Sequence, residues 1–269
     1  MACPDLVSVG VLGETARKAL HGDRVTYGRV CEVRADELPA DRGQAGEVRL
    51  LVRPDSPDDA VARVRFVARF AAGVPFTAFS LDDLLDLVGG DHMALVDLAQ
   101  ALRGAGLHGV AEVPLDALDD AVEVVRAVQR AGLGAWRATI HHAAFADRLP
   151  LIEAAWDLQQ QTQALKAFAP LPRGDSRETP STGYDDVRTI VLARVMCPNI
   201  PLIQVDWAIY GPKLAQVAIA YGVDDLDGIS PLDTPDLGPR RSPREDIERQ
   251  IKAAGASPAT RNGRYEITL

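Results

Sequence analysis

Residues 183–228 read GYDDVRTIVLARVMCPNIPLIQVDWAIYGPKLAQVAIAYGVDDLDG, and this stretch decides the fold. The spacing predicts a helix over Thr182–Met196, an apolar strand over Pro201–Trp207, a second helix over Gly211–Gly222 and a last strand over Leu226–Ile229, and the carboxylates Asp224, Asp225 and Asp227 are read as lying at the end of that strand, where barrels place functional groups. A strand, crossover helix, strand rhythm of this kind belongs to a parallel sheet.

The same alternation runs through the whole chain. Further strands are expected at Arg24–Glu32, Glu47–Val52, Pro75–Phe79, Gly109–Val113, Ala135–His141 and Leu165–Pro170, most of them apolar nearly throughout, as strands covered on both faces should be. Helices are expected from the Asp55-Ser-Pro-Asp cluster through Phe70, over His92–Gly104 and over Asp119–Gly132. A terminal helix should open at Ser242 with a capping box to Glu245. Eight strands with intervening helices predict an α/β chain folded as a TIM-type (β/α) barrel. Its first βα unit should be shortened or irregular, because a Pro/Gly/Asp-rich segment links Cys31 to Glu47. The organisation expected is an N-terminal segment with a remnant first strand (1–46), a barrel core (47–229) and a loop plus C-terminal helix packed on the barrel (230–269). Two irregular stretches, Pro172–Ser181 and Ser230–Pro243, follow strands and so fall on the face where barrels place their sites.

Composition narrows the function. Over 269 residues the formal charge is −9, which argues against binding nucleic acid or an anionic membrane surface. The three cysteines, Cys3, Cys31 and Cys197, are scattered and odd in number, so no disulfide framework is expected. With neither a leader-like apolar segment nor a membrane-length run, a cytoplasmic location is the expectation.

Several segments, in order, resemble the radical S-adenosylmethionine enzymes of futalosine-type menaquinone biosynthesis, the aminofutalosine synthase and dehypoxanthine futalosine cyclase group. They are His21–Tyr27 (HGDRVTY), Pro75–Ser80 (PFTAFS), Gly109-Val-Ala-Glu112, Ala167–Leu171 (AFAPL), Trp207, Lys213–Ala218 (KLAQVA), Asp224–Gly228 and Pro258–Tyr265 (PATRNGRY). The resemblance implies a barrel, and it also implies a CxxxCxxC motif for an iron–sulfur cluster. The best-matching positions here are Cys31, Ala35 and Leu38, and alanine and leucine supply no thiolate. Arg53-Pro54 stands where a Gly-Gly-type turn is expected. After Gly228, Ser-Pro-Leu-Asp-Thr-Pro-Asp replaces the expected Glu and paired His. The expectation is therefore a cluster-less homologue with neither an iron–sulfur cluster nor S-adenosylmethionine bound, acting as a binding or accessory protein. The alternative is an enzyme reusing the pocket for acid–base chemistry on an aromatic carboxylate or nucleoside-like molecule.

The candidate catalytic residues are Glu112, His141 and Asp225, and the candidate ligand-binding residues are Thr139, Trp207, Asp224 and Asp227. Carboxylates and histidine at strand ends can move protons, and an indole can stack on a planar ligand. Each has an ordinary alternative: a salt bridge for Glu112, a hydrogen-bonded histidine, a turn cap for the aspartates, core filling for Trp207. No metal-ligand spacing is visible. The expected partners are a second copy of the chain, which would cover the edges of a split barrel, or a cluster-bearing paralogue, and a small-molecule ligand.

Overall fold

The computed structural model describes residues 5–34, 37–173, 181–234 and 242–268. Cys3, Ala35 and the central parts of the two irregular stretches (174–180 and 235–241) lie outside the described residues.

Eight parallel strands close a barrel: β1 (Arg24–Val33), β2 (Glu47–Leu50), β3 (Phe76–Ser80), β4 (Gly109–Pro114), β5 (Arg137–Ile140), β6 (Ala167–Pro172), β7 (Leu202–Asp206) and β8 (Asp225–Ile229). Pairing runs in chain order from β2 to β8, and β1 joins β8 to β2. Among the described residues eight α-helices accompany them: α1 (Leu6–His21), α2 (Pro57–Phe70), α3 (Leu81–Leu87), α4 (His92–Gly104), α5 (Ala121–Arg130), α6 (Arg148–Thr162), α7 (Gly183–Met196) and α8 (Trp207–Ile219). A ninth, α9 (Arg244–Ala253), leads into a ninth strand, β9 (Ser257–Arg261). No helix among the described residues is long and apolar enough to cross a membrane.

All eight strands expected from sequence are present, and the irregular first unit has a definite form. The described residues between β1 and β2 hold no helix. β1 itself is no remnant: at ten residues it is the longest strand, and it has three neighbours. Its lower half pairs with β9 (Arg24↔Ser257 through Gly28↔Arg261), and its upper half pairs with the short β2 (Val30↔Glu47 through Val33↔Leu50). β9 thus continues the barrel wall below β2, and the boundaries expected at 46/47 and 229/230 both cut through the sheet. The terminal helix starts one residue later than expected, with Pro243 as its N-cap and no side-chain cap bond, so the Ser242 capping box does not form. Thr182 and Asp185 do form one at the start of α7.

Apolar side chains pack between the strands and the helix layer, among them Val64, Val67, Leu95, Leu98, Val125, Ile152 and Ile190. The barrel axis is different. Branched apolar residues dominate most barrels of this type. Here three guanidinia and three carboxylates interlock. Arg49 bonds both Glu47 (2.8 Å) and Asp227 (2.7 Å), Arg137 bonds Asp227 at 2.6 Å, and Arg261 bonds Asp225 (2.6 and 2.8 Å) and Asp227 (3.0 Å). All six are buried. Thr26, Thr77 and Gln204 complete the acceptors of Asp225 and Glu47, and the Arg261 guanidinium lies 4.1 Å over the Tyr265 ring. Gly28 makes room for this plug, since a side-chain carbon there would stand 2.6 Å from the Arg261 guanidinium.

Candidate functional site

Toward the C-terminal ends of the strands a second polar layer crosses the barrel. Glu112 of β4 meets His141, which follows β5, at 3.1 Å. Arg173, just after β6, bridges Glu112 (3.4 Å) and Asp206 at the end of β7 (3.2 Å). Asp206 also caps α8 through the Ile209 N–H, and Trp207 starts that helix, fully buried. Asp116 holds the turn behind His141 by accepting from the main-chain N–H groups of His141, His142 and Ala143.

The electrostatics fix the charge states of the pair. Burial works against an ionised Glu112, but the hydrogen bond from His141 and the guanidinia of Arg173 and Arg137 hold its carboxyl well below the usual carboxylate range. Burial alone would lower the His141 imidazole. The bond to Glu112 and that carboxylate's charge outweigh it, and the His141 pKa is raised. The sign of the resulting linkage follows. A histidine raised in the folded state stabilises the fold below its unfolded pKa, and that contribution fades as pH rises through the folded value. Glu112→Gln removes the largest raising influence and leaves burial in place. His141 should then titrate at a lower pH in an imidazole NMR titration; an unchanged midpoint would contradict the pairing.

Among the described residues the buried Thr139 Oγ1 and Trp207 Nε1 have no hydrogen-bond partner, whereas Glu112 Oε2 and Arg137 Nη2, which make no hydrogen bond either, lie in ion-pair range of each other at 3.9 Å. Unsatisfied groups of this kind are costly when buried, and a ligand able to accept and donate would relieve them.

The sequence-derived candidates therefore divide. Glu112 and His141 belong to the polar layer at the mouth, the end of the barrel where the strands finish, whereas Thr139 is buried within β5 and Trp207 is buried in the apolar core at the start of α8. Asp225 and Asp227 sit deeper, and their oxygens are engaged by guanidinia. The role of Asp225 as an acid–base group, and that of Asp227 as a ligand contact, give way to a structural one, because no free oxygen faces the mouth. Burial opposes ionisation of Asp227, but Arg49, Arg137 and Arg261 hold its carboxyl well below the ordinary range. Asp224 contacts no mouth residue either: it is locked to Arg194 (2.8 Å) and to the Ile203 N–H (2.7 Å), tying β8 to α7 and β7. Sequence reasoning missed Arg173 and Asp206. The signal available was their position, directly after one strand and at the end of another.

At the cluster position, Cys31 lies in β1 with 3% exposure, beside a cavity of about 470 Å³ that Leu38 also borders. Burial raises the Cys31 thiol, followed in weight by the charge of Asp41. Cys197 is buried on α7's far end, remote in sequence, and donates to the Ile152 carbonyl. Among the described residues no group of three His, Cys, Asp or Glu side chains is placed to hold a metal ion.

A parallel eight-stranded barrel with a polar mouth defines the class, and solved structures agree. Methylornithine synthase (PylB) superposes with a TM-score of 0.66 over 94% of this chain and 89% of its own, at 14% identity. The hydrogenase maturase HydG follows at 0.63, covering 96% and 70%, at 10% identity. These similarities concern the fold alone.

Sequence relatives are more particular. Residues 154–268 match the family described as the CofH/MqnC C-terminal region. Aminodeoxyfutalosine synthase of Streptomyces coelicolor is 32% identical over 132 residues, 41% of this chain and 34% of that protein. Cyclic dehypoxanthine futalosine synthase of the same organism is 32% identical over 129 residues, 45% and 32% respectively. The Archaeoglobus fulgidus 5-amino-6-(D-ribitylamino)uracil–L-tyrosine 4-hydroxyphenyl transferase is 28% identical over 221 residues, 71% and 64%. The chain thus spans less than two thirds of the length of these curated relatives. Its resemblance to the aminofutalosine synthase and dehypoxanthine futalosine cyclase group stands.

Proposed function

We propose that this chain is a cluster-less relative of the futalosine-pathway enzymes that works by binding, as an accessory partner of a cluster-bearing relative. The observation that carries this reading is the donor set at the cluster position. One thiol, Cys31, is present in the 31–38 stretch; it is built into the wall of β1 and raised by burial, the opposite of what thiolate ligation requires. Leu38 packs on the core instead of offering a second ligand. The residues present do not fit a four-iron cluster, and no reaction step is assigned to one.

The ion-paired barrel axis supports the same reading, because it fills with fixed charge the space below the mouth. The test is co-expression with an affinity-tagged cluster-bearing relative from the same organism. The chain should co-elute with it through size exclusion, and separate elution of two folded proteins overturns the accessory role.

The unpartnered atoms of Thr139 and Trp207 favour a second reading, in which the mouth holds a small polar ligand and the Glu112–His141 pair acts on it as acid and base. Loss of turnover in Glu112→Gln, with binding retained, would select that reading over a purely accessory one.

A further inference from the structure

On the opposite face, where the strands begin, two adjoining cavities of about 660 and 330 Å³ share His108 and Arg264 at their border. Both lie in the size range of small-molecule sites. The half-buried indole of Trp136 walls the larger one. It lies across Gly134 so closely that a side-chain carbon there would stand 2.1 Å from the ring. The indole is thereby seated on main chain and presented at the edge of the cavity.

The cations around it are unusual for a chain of net charge −9. Arg103, near the end of α4, donates to the Ala131 carbonyl at 3.3 Å and has no carboxylate partner among the described residues. Arg264 is displayed on the turn after β9, where its main-chain N–H bonds Asn262, and its guanidinium makes no ion pair among the described residues. The arginines of the barrel axis, by contrast, are all paired. His108 Nδ1 accepts the Phe76 N–H at 2.9 Å, so a neutral ring carries its proton on Nε2. Burial, then the charge of Arg264, lowers the His108 pKa and keeps the ring neutral. An aromatic platform, two unpaired guanidinia and an imidazole N–H suit a flat ring bearing an anion with several oxygens.

We propose that this N-terminal face binds a small planar aromatic ligand carrying a phosphate, its ring on Trp136 and its phosphate held by Arg103 and Arg264. The site is separate from the mouth and does not depend on the accessory role. Adenosine 5′-monophosphate, adenosine and inorganic phosphate are titrated calorimetrically into the full chain. The monophosphate should bind saturably, and each of the other two at least about tenfold more weakly. Arg264→Gln should weaken the monophosphate about tenfold, with the melting temperature unchanged. Absence of saturable monophosphate binding below about 1 mM overturns the proposal. So does an affinity that the Arg103→Gln/Arg264→Gln double variant leaves unaltered.

Discussion

Asp227→Ala should be the most damaging single substitution in the barrel. Its carboxylate accepts from Arg49, Arg137 and Arg261, all buried beside it. Removing it leaves three desolvated guanidinia with two carboxylates, Glu47 and Asp225, between them. Breaking a buried pair by deleting one partner costs about 3–5 kcal/mol. Domains of this kind have about 5–15 kcal/mol in total, so the variant should melt at a much lower temperature or fail to accumulate. Arg137 shows the balance is already tight: burial first, then the charges of Arg49 and Arg173, lower its pKa. Thermal melting of Asp227→Ala against Asp91→Ala makes the comparison. Asp91 caps α4 on the surface, and its loss should cost only about 1 kcal/mol. Equal losses would contradict a structural role for Asp227.

Ending the chain at Ala256 should abolish cooperative folding altogether. β9 pairs with β1 from Arg24 to Gly28, and Arg261 makes two bonds to Asp225 and one to Asp227. Tyr265 adds its hydroxyl to Gln204 and its ring to Arg261. The truncated chain would expose half of β1 as an unpaired strand edge and leave the buried Asp225 carboxylate without its guanidinium partner. The combined loss is comparable with the whole stability of a domain. Circular dichroism should show no cooperative melt, or the chain should be insoluble; a soluble truncated protein with a sharp transition would contradict the account of β9 as barrel wall.

β9 is also where reading the sequence fell furthest short. Residues 257–261, SPATR, hold a proline and no apolar alternation, so nothing local marks a strand. It becomes one because Arg261 is drawn to Asp225 and Asp227 in the barrel, a long-range attraction with no periodic signature. α1 was missed for a related reason. It buries Gly10, Gly13 and Arg17 while exposing Val7, Val11 and Leu12, the reverse of an amphipathic pattern. α6 buries Arg148 and Gln159 among its apolar residues, which blurs its stripe, and α3 has only seven residues. The start of α8 was placed at Gly211 because the helix breaks there; a single turn from Trp207 precedes the break. The eight barrel strands were legible because strands buried on both faces read as apolar runs.

The site was legible in position and not in depth. Glu112 and His141 were read as strand-end groups, and the structure joins them. Asp225 and Asp227 were read the same way, yet their environment depends on Arg49, Arg137 and Arg261, which come from three other strands. Alternation along one strand carries no information about which charge a distant strand delivers to the axis.

The proposed role rests on an inability to bind an iron–sulfur cluster, inferred from the single thiol, Cys31, in the 31–38 stretch. Its most direct test is anaerobic incubation of the full chain with ferrous iron and sulfide, followed by desalting and metal and sulfide analysis. The account predicts background iron and no cluster absorption, with the same result for Cys31→Ser. A stoichiometric four-iron cluster that Cys31→Ser abolishes would contradict it.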